Sequence, residues 1–443
     1  MKKLYILALI IICLVFAFGC QNHEEKAPAA DVAAVPFQFR SDELENYIIV
    51  YSKDNPDYFD LANRLADQIL NKYDIFLSIA CDSDSEPGKY EILLGDTNRY
   101  DQRSKVMEYS VTVADGKLMI HAGGSFSAEK AVEHLCESVF NGQPFALDKG
   151  TYYQTSFLTT VQPVMDNNAA RIMSANVLAD AFADDTYRGT FYRAEIFAGM
   201  LVSYTPDVLG LQEVDENWNN ALSYYLPKLQ NAHGISYAQL LSTSENKTNY
   251  TSLLYRSDKF KAEDSGIHIF SWWTDKAFHH NYHMRNISWA QFSSLEITDT
   301  RFIVANTHWS YRTEHADGNH YLSGSDTPIA ADALRIQCKE ETDTFLSSLK
   351  QNNPETPILL TGDFNTSLSF FTESGWTPEG FEVISEAAKS GGTALALVPS
   401  SGHFDHIFGT GNYTISCYGF LKDVNQHSLL SDHPFVYTDL ILN

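Results

Sequence analysis

Positive charge is scarce in this chain of 443 residues, which has 31 lysines and arginines against 56 aspartates and glutamates. The formal net charge of −25 argues against a long contact surface for nucleic acid or anionic lipid, because such surfaces are built from clustered cations. A small phosphate site is still compatible with this charge, because a bound metal ion can supply the positive charge locally. Wholesale disorder is excluded by the 44% hydrophobic and 13% aromatic residues.

Cysteines are few, and their spacing does not indicate a metal site. Two of the six, Cys13 and Cys20, fall within the first 20 residues. The other four show neither CxxC nor Cys/His zinc spacing: Cys81, Cys136, Cys338 and Cys417. The sequence does not require a disulfide, and the position of Cys136 on the apolar face of a predicted helix indicates a buried thiol.

The N-terminal apolar run is too short to span a membrane as a helix. It covers residues 4–18, whereas a spanning helix needs roughly 20 residues, and it follows the basic start Lys2-Lys3. This pattern is typical of a signal peptide. Because Gly19-Cys20 follows the run directly, residues 1–20 resemble a bacterial lipoprotein signal, although Ala17 and Phe18 depart from the usual residues.

A lipoprotein signal predicts an exported protein at the cell surface or facing the periplasm, with lipidated Cys20 as its membrane anchor. An ordinary cleaved signal and an uncleaved anchor are the alternatives. The Ala/Pro-rich stretch that follows indicates a linker over residues 21–43.

Residues 44–158 are predicted to form a small α+β accessory domain. A strand at 47–51 precedes a helix opened by Pro56, and the Asp115-Gly116 turn indicates a hairpin between 109 and 121. A second helix is expected from Ser127. No catalytic constellation is evident, so a spacer or an accessory binding module is expected here.

In residues 165–443, polar side chains stand where predicted apolar strands stop or start. Each polar residue alone has a structural explanation as a turn residue. Strand ends at one edge of a sheet converge in space, however, and binding sites gather there. Six segments show the pattern: SANVLAD (174–180), LGLQEV (209–214), NTHW (306–309), TGDFN (361–365), FDHIF (404–408) and SDHPF (431–435).

These six motifs, in this order, resemble those of the endonuclease/exonuclease/phosphatase superfamily, which has the DNase I-like fold. The resemblance implies an α/β fold, a four-layer α-β-β-α sandwich with two packed mixed sheets, preceded here by the small α+β domain. It also implies metal-dependent hydrolysis of a phosphodiester or phosphomonoester by in-line attack of an activated water.

The resemblance further implies a role for each matched residue. The implied metal site contains Asn176, Glu213 and Asp432, and the implied catalytic residues are His308, Asp363, Asn365, Asp405 and His433. Mg²⁺ is the expected ion because it prefers hard carboxylate oxygens, and Mn²⁺ or Ca²⁺ are possible substitutes.

Within that set, Asp363 would orient or deprotonate the water, while His308 and Asn365 would donate hydrogen bonds to the phosphoryl group. Asp405 would fix the tautomer of His433, whose role as base or as phosphate clamp stays open. Strand alternation turns His406 away from the face of Asp405, so a structural role is expected for it. Asn306 is expected to support His308.

The substrate is left open by the sequence. The segments 261–286 and 311–328, rich in aromatic residues and histidine, could form a substrate rim or pack internally. A phosphoesterase of undetermined substrate is the leading expectation, and the protein is expected to be a monomer. The alternatives are a secreted nuclease, which the charge disfavours, a sphingomyelinase-like phosphodiesterase of lipid headgroups, and a catalytically inactive surface binding protein.

Overall fold

The computed structural model describes most of one compact unit, Gln38–Asn443. The described residues are 38–100, 104–159, 169–180, 182–240, 251–271, 285–297, 299–309, 320–321, 328–329, 333–367, 371, 377–395, 403–421 and 427–443. The predicted signal peptide at 1–20 lies outside them, as does the predicted linker up to residue 37. Among the described helices, none is both long enough and apolar enough to cross a bilayer.

An N-terminal module, residues 38–158, is built on one six-stranded sheet with two helices. Its elements are β1 (Gln38–Arg40), β2 (Ile48–Tyr51), α1 (Tyr58–Tyr73), β3 (Ser78–Cys81), β4 (Glu91–Leu94), β5 (Glu108–Ala114), β6 (Lys117–Ala122), α2 (Ser125–Ser138), β7 (Ala146–Asp148) and β8 (Gly150–Ser156). The strand order is β3-β2-β4-β6-β5-β8, and β1 pairs separately with β7. A small α+β arrangement therefore precedes the strands that carry the six motifs.

The module begins at Gln38, within the range predicted as linker. Phe39 is fully buried and contacts Tyr47 and Phe145, at ring-centroid distances of 4.9 and 5.4 Å. Its burial anchors β1 to the module, so the ordered module starts before the predicted boundary at residue 44. Helix α2 likewise begins at Ser125, before the predicted start; Ser127 lies in the first turn, where its Oγ accepts a hydrogen bond from the Gly124 N–H at 3.1 Å.

The C-terminal part contains two further six-stranded sheets, here called sheet I and sheet II. Its elements are β9 (Ala169–Asn176), α3 (Thr190–Tyr204), β10 (Val208–Gln212), α4 (Glu216–His233), β11 (Tyr237–Leu240), β12 (Thr251–Arg256), β13 (Phe260–Ile269), β14 (Asn286–Ser294), β15 (Arg301–His308), β16 (His320–Tyr321), β17 (Pro328–Ile329), α5 (Ala333–Asn352), β18 (Ile358–Asp363), β19 (Glu382–Val383), α6 (Ile384–Gly391), β20 (Asp405–Thr410), β21 (Tyr413–Leu421) and β22 (Phe435–Leu442). Sheet I has the order β11-β12-β10-β9-β22-β21, and sheet II has the order β13-β14-β15-β18-β20-β19.

Both sheets are mixed, and they pack face to face between helices. Ile172 and Val208 of sheet I share a buried apolar cluster with Val304 and Leu359 of sheet II. Helices α3 and α4 cover the outer face of sheet I, and α5 covers the outer face of sheet II. The predicted four-layer α-β-β-α sandwich is therefore confirmed.

A buried polar layer joins the two sheets below the strand ends that carry the six motifs. Asn306 of sheet II accepts a hydrogen bond of 2.6 Å from Gln212 Nε2 and donates to the carbonyls of Leu211 and Ser252 in sheet I. Thr361 Oγ1 lies 3.2 Å from the same Asn306 oxygen. Asn306 was expected to support the catalytic His308, and its contacts show that it holds the two sheets in register with each other.

The four described cysteines are free thiols. Cys338 of α5 is buried, whereas Cys81, Cys417 and Cys136, which was predicted to be buried, are partly exposed. Burial raises the pKa of the Cys136 thiol to about 11, so it is not a reactive thiolate at neutral pH.

Candidate active site

Strand register brings the predicted site residues together in two rows. In sheet I, β9 and β10 are parallel and pair Asn176 with Gln212, so Glu213 follows directly beside Asn176. In sheet II, parallel pairing places His308 opposite Asp363, and the antiparallel β20 places Asp405 on the other side of Asp363. Since the two sheets face each other, five residues from separate segments meet at one end of the sandwich.

Asn176 connects the two acidic side chains of these rows. Its Nδ2 donates to Glu213 Oε1 at 2.9 Å and to Asp363 Oδ2 at 3.0 Å, and its Oδ1 accepts from the backbone N–H of Leu178. Glu213 Oε2 accepts from the Ala179 N–H at 2.9 Å. One amide therefore holds two carboxylates of opposite sheets side by side, which favours a cation between or beside them.

The donor set fits a divalent metal ion. Ligand atoms of Glu213, His308 and Asp363 all lie within 4.8 Å of one another. Two carboxylates offer the hard oxygens that Mg²⁺ and Mn²⁺ prefer, and imidazole suits Mn²⁺ better than Mg²⁺. Asn176 orients the carboxylates through its N–H groups. Asp432 is not part of this group, and its side chain is exposed next to His433.

Asp405, which is buried, pairs with the partly exposed His433. His433 Nδ1 lies 2.7 Å from Asp405 Oδ2, and His433 Nε2 lies 3.9 Å from Asp363 Oδ2. Burial alone would lower the pKa of His433, but the charges of Asp405 and Asp363 outweigh it and hold that pKa well above its usual value. Burial also raises the pKa of Asp405, and the His433 charge opposes this shift. The imidazole thus has a fixed tautomer and a high proton affinity.

Asp363 is the most connected side chain of the site. Its Oδ1 accepts from the Asn365 N–H at 2.8 Å, and its Oδ2 faces Asn176, His308 and His433. Burial raises its pKa, but the charge of His433 and the hydrogen bond from His308 outweigh burial and bring the pKa below its usual value. Asp363 is therefore an ionised and fixed acceptor at neutral pH.

His308 and Asn365 are placed to donate into the same space. His308 Nε2 lies 3.3 Å from Asp363 Oδ2, and burial lowers the pKa of this histidine, so its ring is neutral. Asn365 adopts a left-handed backbone with φ of 49°, a conformation that Asn tolerates better than most residues. Its side-chain amide donates a hydrogen bond to the Trp309 carbonyl at 3.0 Å.

Arg285 also lies at the site, although the sequence indicated only that it belongs to the aromatic-rich segment 261–286. It lies partly exposed just before β14, with Nη1 3.5 Å from the His308 carbonyl. Burial lowers its pKa, and the charges of Glu213 and Asp363 act in the opposite direction. Arg285 could have been identified from strand pairing: it directly precedes β14, and the start of β14 pairs with the end of β15, where His308 lies.

His406 faces away from the site, as alternation along β20 requires. Its Nε2 lies 3.1 Å from the Thr366 carbonyl, and its ring packs against Phe371 with centroids 5.3 Å apart. Burial lowers the pKa of His406 to about 4. These contacts are those of a packing residue. Of the predicted rim segments, residues 272–284, 311–319 and 322–327 lie outside the described residues.

Comparison with known proteins identifies one matching family. The family described as endonuclease/exonuclease/phosphatase matches residues 173–433, a range that contains all six motifs except the last two residues of SDHPF. No curated protein sequence matches the chain.

Several solved structures resemble the chain, each at low identity. An endonuclease/exonuclease/phosphatase from Bacteroides vulgatus is 19% identical, with 62% of this chain and 99% of that chain covered and a TM-score of 0.45. A mannosyl-6-phosphatase from Bacteroides thetaiotaomicron is 17% identical, with 62% and 100% covered and a TM-score of 0.44. The human Nocturnin catalytic domain with bound sulfate is 16% identical, with 62% and 95% covered and a TM-score of 0.46.

Proposed function

Because the chain belongs to the endonuclease/exonuclease/phosphatase family, we propose that it hydrolyses a phosphoester with the help of a divalent metal ion. One observation carries the proposal: the carboxylates of Glu213 and Asp363 lie beside His308 and the Asp405–His433 pair at one end of the sandwich. An acidic pair with two adjacent imidazoles combines a cation site, a fixed acceptor for water and proton-carrying groups. In-line phosphoryl transfer to water needs these three parts.

Glu213 and Asp363 would hold the metal ion, with His308 as a possible third ligand or as a donor to the phosphoryl group. Mg²⁺ is the first candidate, and Mn²⁺ or Ca²⁺ could replace it. When bound, the ion would neutralise charge on the phosphoryl oxygens. Asp432 would act on His433 and not as a ligand of the ion, since its exposed carboxylate adds negative charge near that histidine.

The remaining steps belong to side chains of the protein. Asp363 is ionised and held on both oxygens, so it orients the attacking water and is a weak base. Asn365 and Arg285 would donate to phosphoryl oxygens as negative charge builds on them. His433 either removes the proton of the water in its neutral form or binds the phosphoryl group as a cation, with Asp405 fixing its tautomer in both cases.

Two substitutions test the proposal. Asp363→Asn and His433→Ala should each lower kcat on an activated phosphodiester at least 10²-fold, because each removes a group that acts at the reacting atoms. Circular dichroism and thermal unfolding would check that both variants fold. Asp264→Asn, which changes an exposed carboxylate of β13 in the same way, should keep wild-type turnover. EDTA should abolish activity, and Mg²⁺ should restore it.

Retained turnover in folded Asp363→Asn would refute the assignment. A panel of substrates would then define the leaving group: release of phosphate, nucleotides or phosphocholine would separate a phosphatase, a nuclease and a lipid-headgroup phosphodiesterase. The net charge of −25 disfavours a long polyanion, so a small phosphoester is the expected substrate. Absence of turnover on the whole panel, with metal bound, would favour a binding protein on the same fold.

Export and membrane anchoring through lipidated Cys20 are proposed from the N-terminal sequence alone. Expressed in a bacterium, the full chain should fractionate with membranes and incorporate a radiolabelled fatty acid, and Cys20→Ala should lose both properties. Labelling that persists in Cys20→Ala would contradict this anchor.

A monomer is proposed for the soluble chain lacking residues 1–20, and light scattering would measure its mass.

A further inference from the structure

Helix α3 reaches into the N-terminal module through Glu195. This carboxylate has no exposed surface. Its Oε1 accepts hydrogen bonds from the Met107 N–H at 2.8 Å and from Ser127 Oγ at 2.7 Å, and its Oε2 accepts from the Ser127 N–H at 3.0 Å. All three donors belong to the N-terminal module.

Glu195 thereby caps α2 from outside the module. The first N–H groups of a helix have no partner within the helix, and a carboxylate at this end is stabilised both by these hydrogen bonds and by the helix dipole. The contact is close: a Cβ on Gly124 would overlap the Tyr225 hydroxyl and lie 2.7 Å from Glu195 Oε2. The module and α3 are thus joined by a buried and specific contact.

Arg193, two residues earlier on α3, contacts the catalytic end of the sandwich. Its side chain has no exposed surface. Its guanidinium donates to the carbonyls of Val177 at 3.0 Å, Leu178 at 2.7 Å and Leu430 at 3.3 Å. One cation therefore connects two loops that are far apart in sequence, here called the first loop (177–180) and the second loop (427–434).

Both loops position residues of the active site. In the first loop, the Ala179 N–H donates to Glu213 Oε2 at 2.9 Å. In the second loop, Ser431 Oγ donates to the Asn176 carbonyl at 2.7 Å and accepts from the His433 N–H at 3.2 Å. A displacement of Arg193 would therefore move the hydrogen-bond partners of the acidic pair and of His433 together.

We propose that the N-terminal module is a positioning part of the catalytic site, which holds α3 through Glu195 so that Arg193 can fix both loops. The module is then neither a spacer nor an independent binding domain. This inference rests on the proposed function for its effect on catalysis, but the path from the module to the loops is independent of the substrate. Glu195 and Arg193 are positioning residues, because neither touches the proposed reacting groups.

The test compares Glu195→Gln with Val132→Ala in the soluble chain that lacks residues 1–20. Glu195→Gln places an amide N–H against a backbone donor, whereas Val132→Ala removes buried apolar contacts of α2 and none of the three hydrogen bonds to Glu195. Ser127→Ala, which removes one of the three hydrogen bonds, is the milder variant if Glu195→Gln folds poorly. Hydrogen exchange of peptides covering 177–180 and 430–433 is measured first, because it needs neither metal nor substrate.

Exchange in both peptides should be faster in Glu195→Gln and unchanged in Val132→Ala. The Kd for Mn²⁺, measured by calorimetry, should rise roughly 2- to 30-fold in Glu195→Gln, with kcat falling by a similar factor and KM nearly constant. Unchanged loop exchange in a folded Glu195→Gln, or equal effects of both variants, would overturn the inference. A wild-type chain that neither binds Mn²⁺ nor turns over substrate would refute the proposed function instead, and the exchange result would still decide the inference.

Discussion

At the scale of single residues, the carboxylate of Asp405 depends on one neighbour. Its Oδ2 lies 2.7 Å from His433 Nδ1, whereas its Oδ1 is buried and has no hydrogen-bond partner among the described residues. An ionised carboxylate in such a place is costly unless an opposite charge compensates it. The imidazolium of His433 supplies that charge, so the two groups titrate as one unit.

The substitution Asp405→Asn should lower the pKa of His433, because it removes the negative charge that stabilises the imidazolium. The sign of the change follows directly: the limb of the pH profile of kcat/KM that reports His433 should move to lower pH. If His433 is the base, the acidic limb moves, and if it binds phosphate as a cation, the alkaline limb moves. Asp432→Asn, which removes a more distant and exposed charge, should move the same limb less. Two unchanged limbs in Asp405→Asn would contradict the pairing.

Asn176 should matter most when no metal is bound. Asn176→Ala removes the donor shared by Glu213 and Asp363, and the loss of a partner from buried acceptors costs about 1–3 kcal/mol. Urea unfolding in EDTA should show this decrease in the free energy of unfolding. Saturating Mg²⁺ should reduce the difference from wild type, because the ion then compensates the two carboxylates. An equal decrease with and without Mg²⁺ would show that Asn176 acts only through packing.

The sequence predicted the individual site residues better than their partners. Glu213, Asp363 and His433 stand in motifs at strand ends, and such motifs are local in sequence. Arg193 and Arg285 act through carbonyls and carboxylates that are far away along the chain, so no local pattern marks them. Their roles depend on the packing of α3 and on the pairing of β14 with β15.

At the scale of elements, the distance between sheet I and sheet II is set at Gly210 of β10. A Cβ at this position would overlap Thr361 Oγ1 and Asn306 Oδ1 of the opposite sheet. Asn306 and Gln212 complete the polar layer there with hydrogen bonds across the sheets. The layer lies one or two residues before Glu213 and His308, so it fixes how the site residues of one sheet are aligned with those of the other.

Gly210→Ala should destabilise the protein by about 1–3 kcal/mol, because the new methyl group forces the sheets apart in a packed interior. Gly391→Ala is the matched control: apart from its chain neighbours and the backbone of its own helix, no atom of the described residues lies within 4 Å of its added Cβ, and Gly391 ends helix α6. The control should be neutral or slightly stabilising, since Ala favours helix over Gly. Chemical denaturation of the two variants measures the difference. Equal stabilities would mean that the sheets tolerate the methyl group.

Element ends were harder to predict than element types. The strands before Asn176 and Asp363 were recognised from apolar runs that end in polar residues. The sequence does not reveal the strand Gln38–Arg40, because three residues are too few to show an alternating apolar pattern. Its partner strand, Ala146–Asp148, also lies more than 100 residues away along the chain. The start of α2 was placed at Ser127, because a serine is a common cap, whereas the capping carboxylate comes from Glu195.

At the scale of the whole molecule, the sequence suggested separate domains, whereas residues 38–443 form one compact unit. The contacts that join the N-terminal module to the rest include buried polar groups. Lys228 of α4 lies 2.8 Å from Asp96 Oδ2 and 3.2 Å from the Gly123 carbonyl, both in the module. Composition and periodicity do not reveal such contacts, because they depend on which surfaces meet.

Lys228→Met should therefore destabilise the module and the sandwich together. Asp96 is nearly buried, and removal of its cation leaves a buried carboxylate without that compensation, which costs about 3–5 kcal/mol. Burial alone would lower the pKa of Lys228, but Tyr224 and Asp96 outweigh it, so the lysine is charged across the neutral range. We expect one unfolding transition, shifted to lower urea, when circular dichroism and tryptophan fluorescence are recorded together.

Lys130→Met is the control for this change, because Lys130 forms a half-exposed pair with Glu133 in α2, and such pairs contribute about 0–1 kcal/mol. Adding Asp96→Asn to Lys228→Met should recover part of the lost stability, since it removes the uncompensated charge. Two separate transitions in Lys228→Met, with the C-terminal part unfolding as in wild type, would show independent domains. A single shifted transition would mean that the N-terminal module and the sandwich carrying Glu213, Asp363 and His433 fold as one cooperative unit.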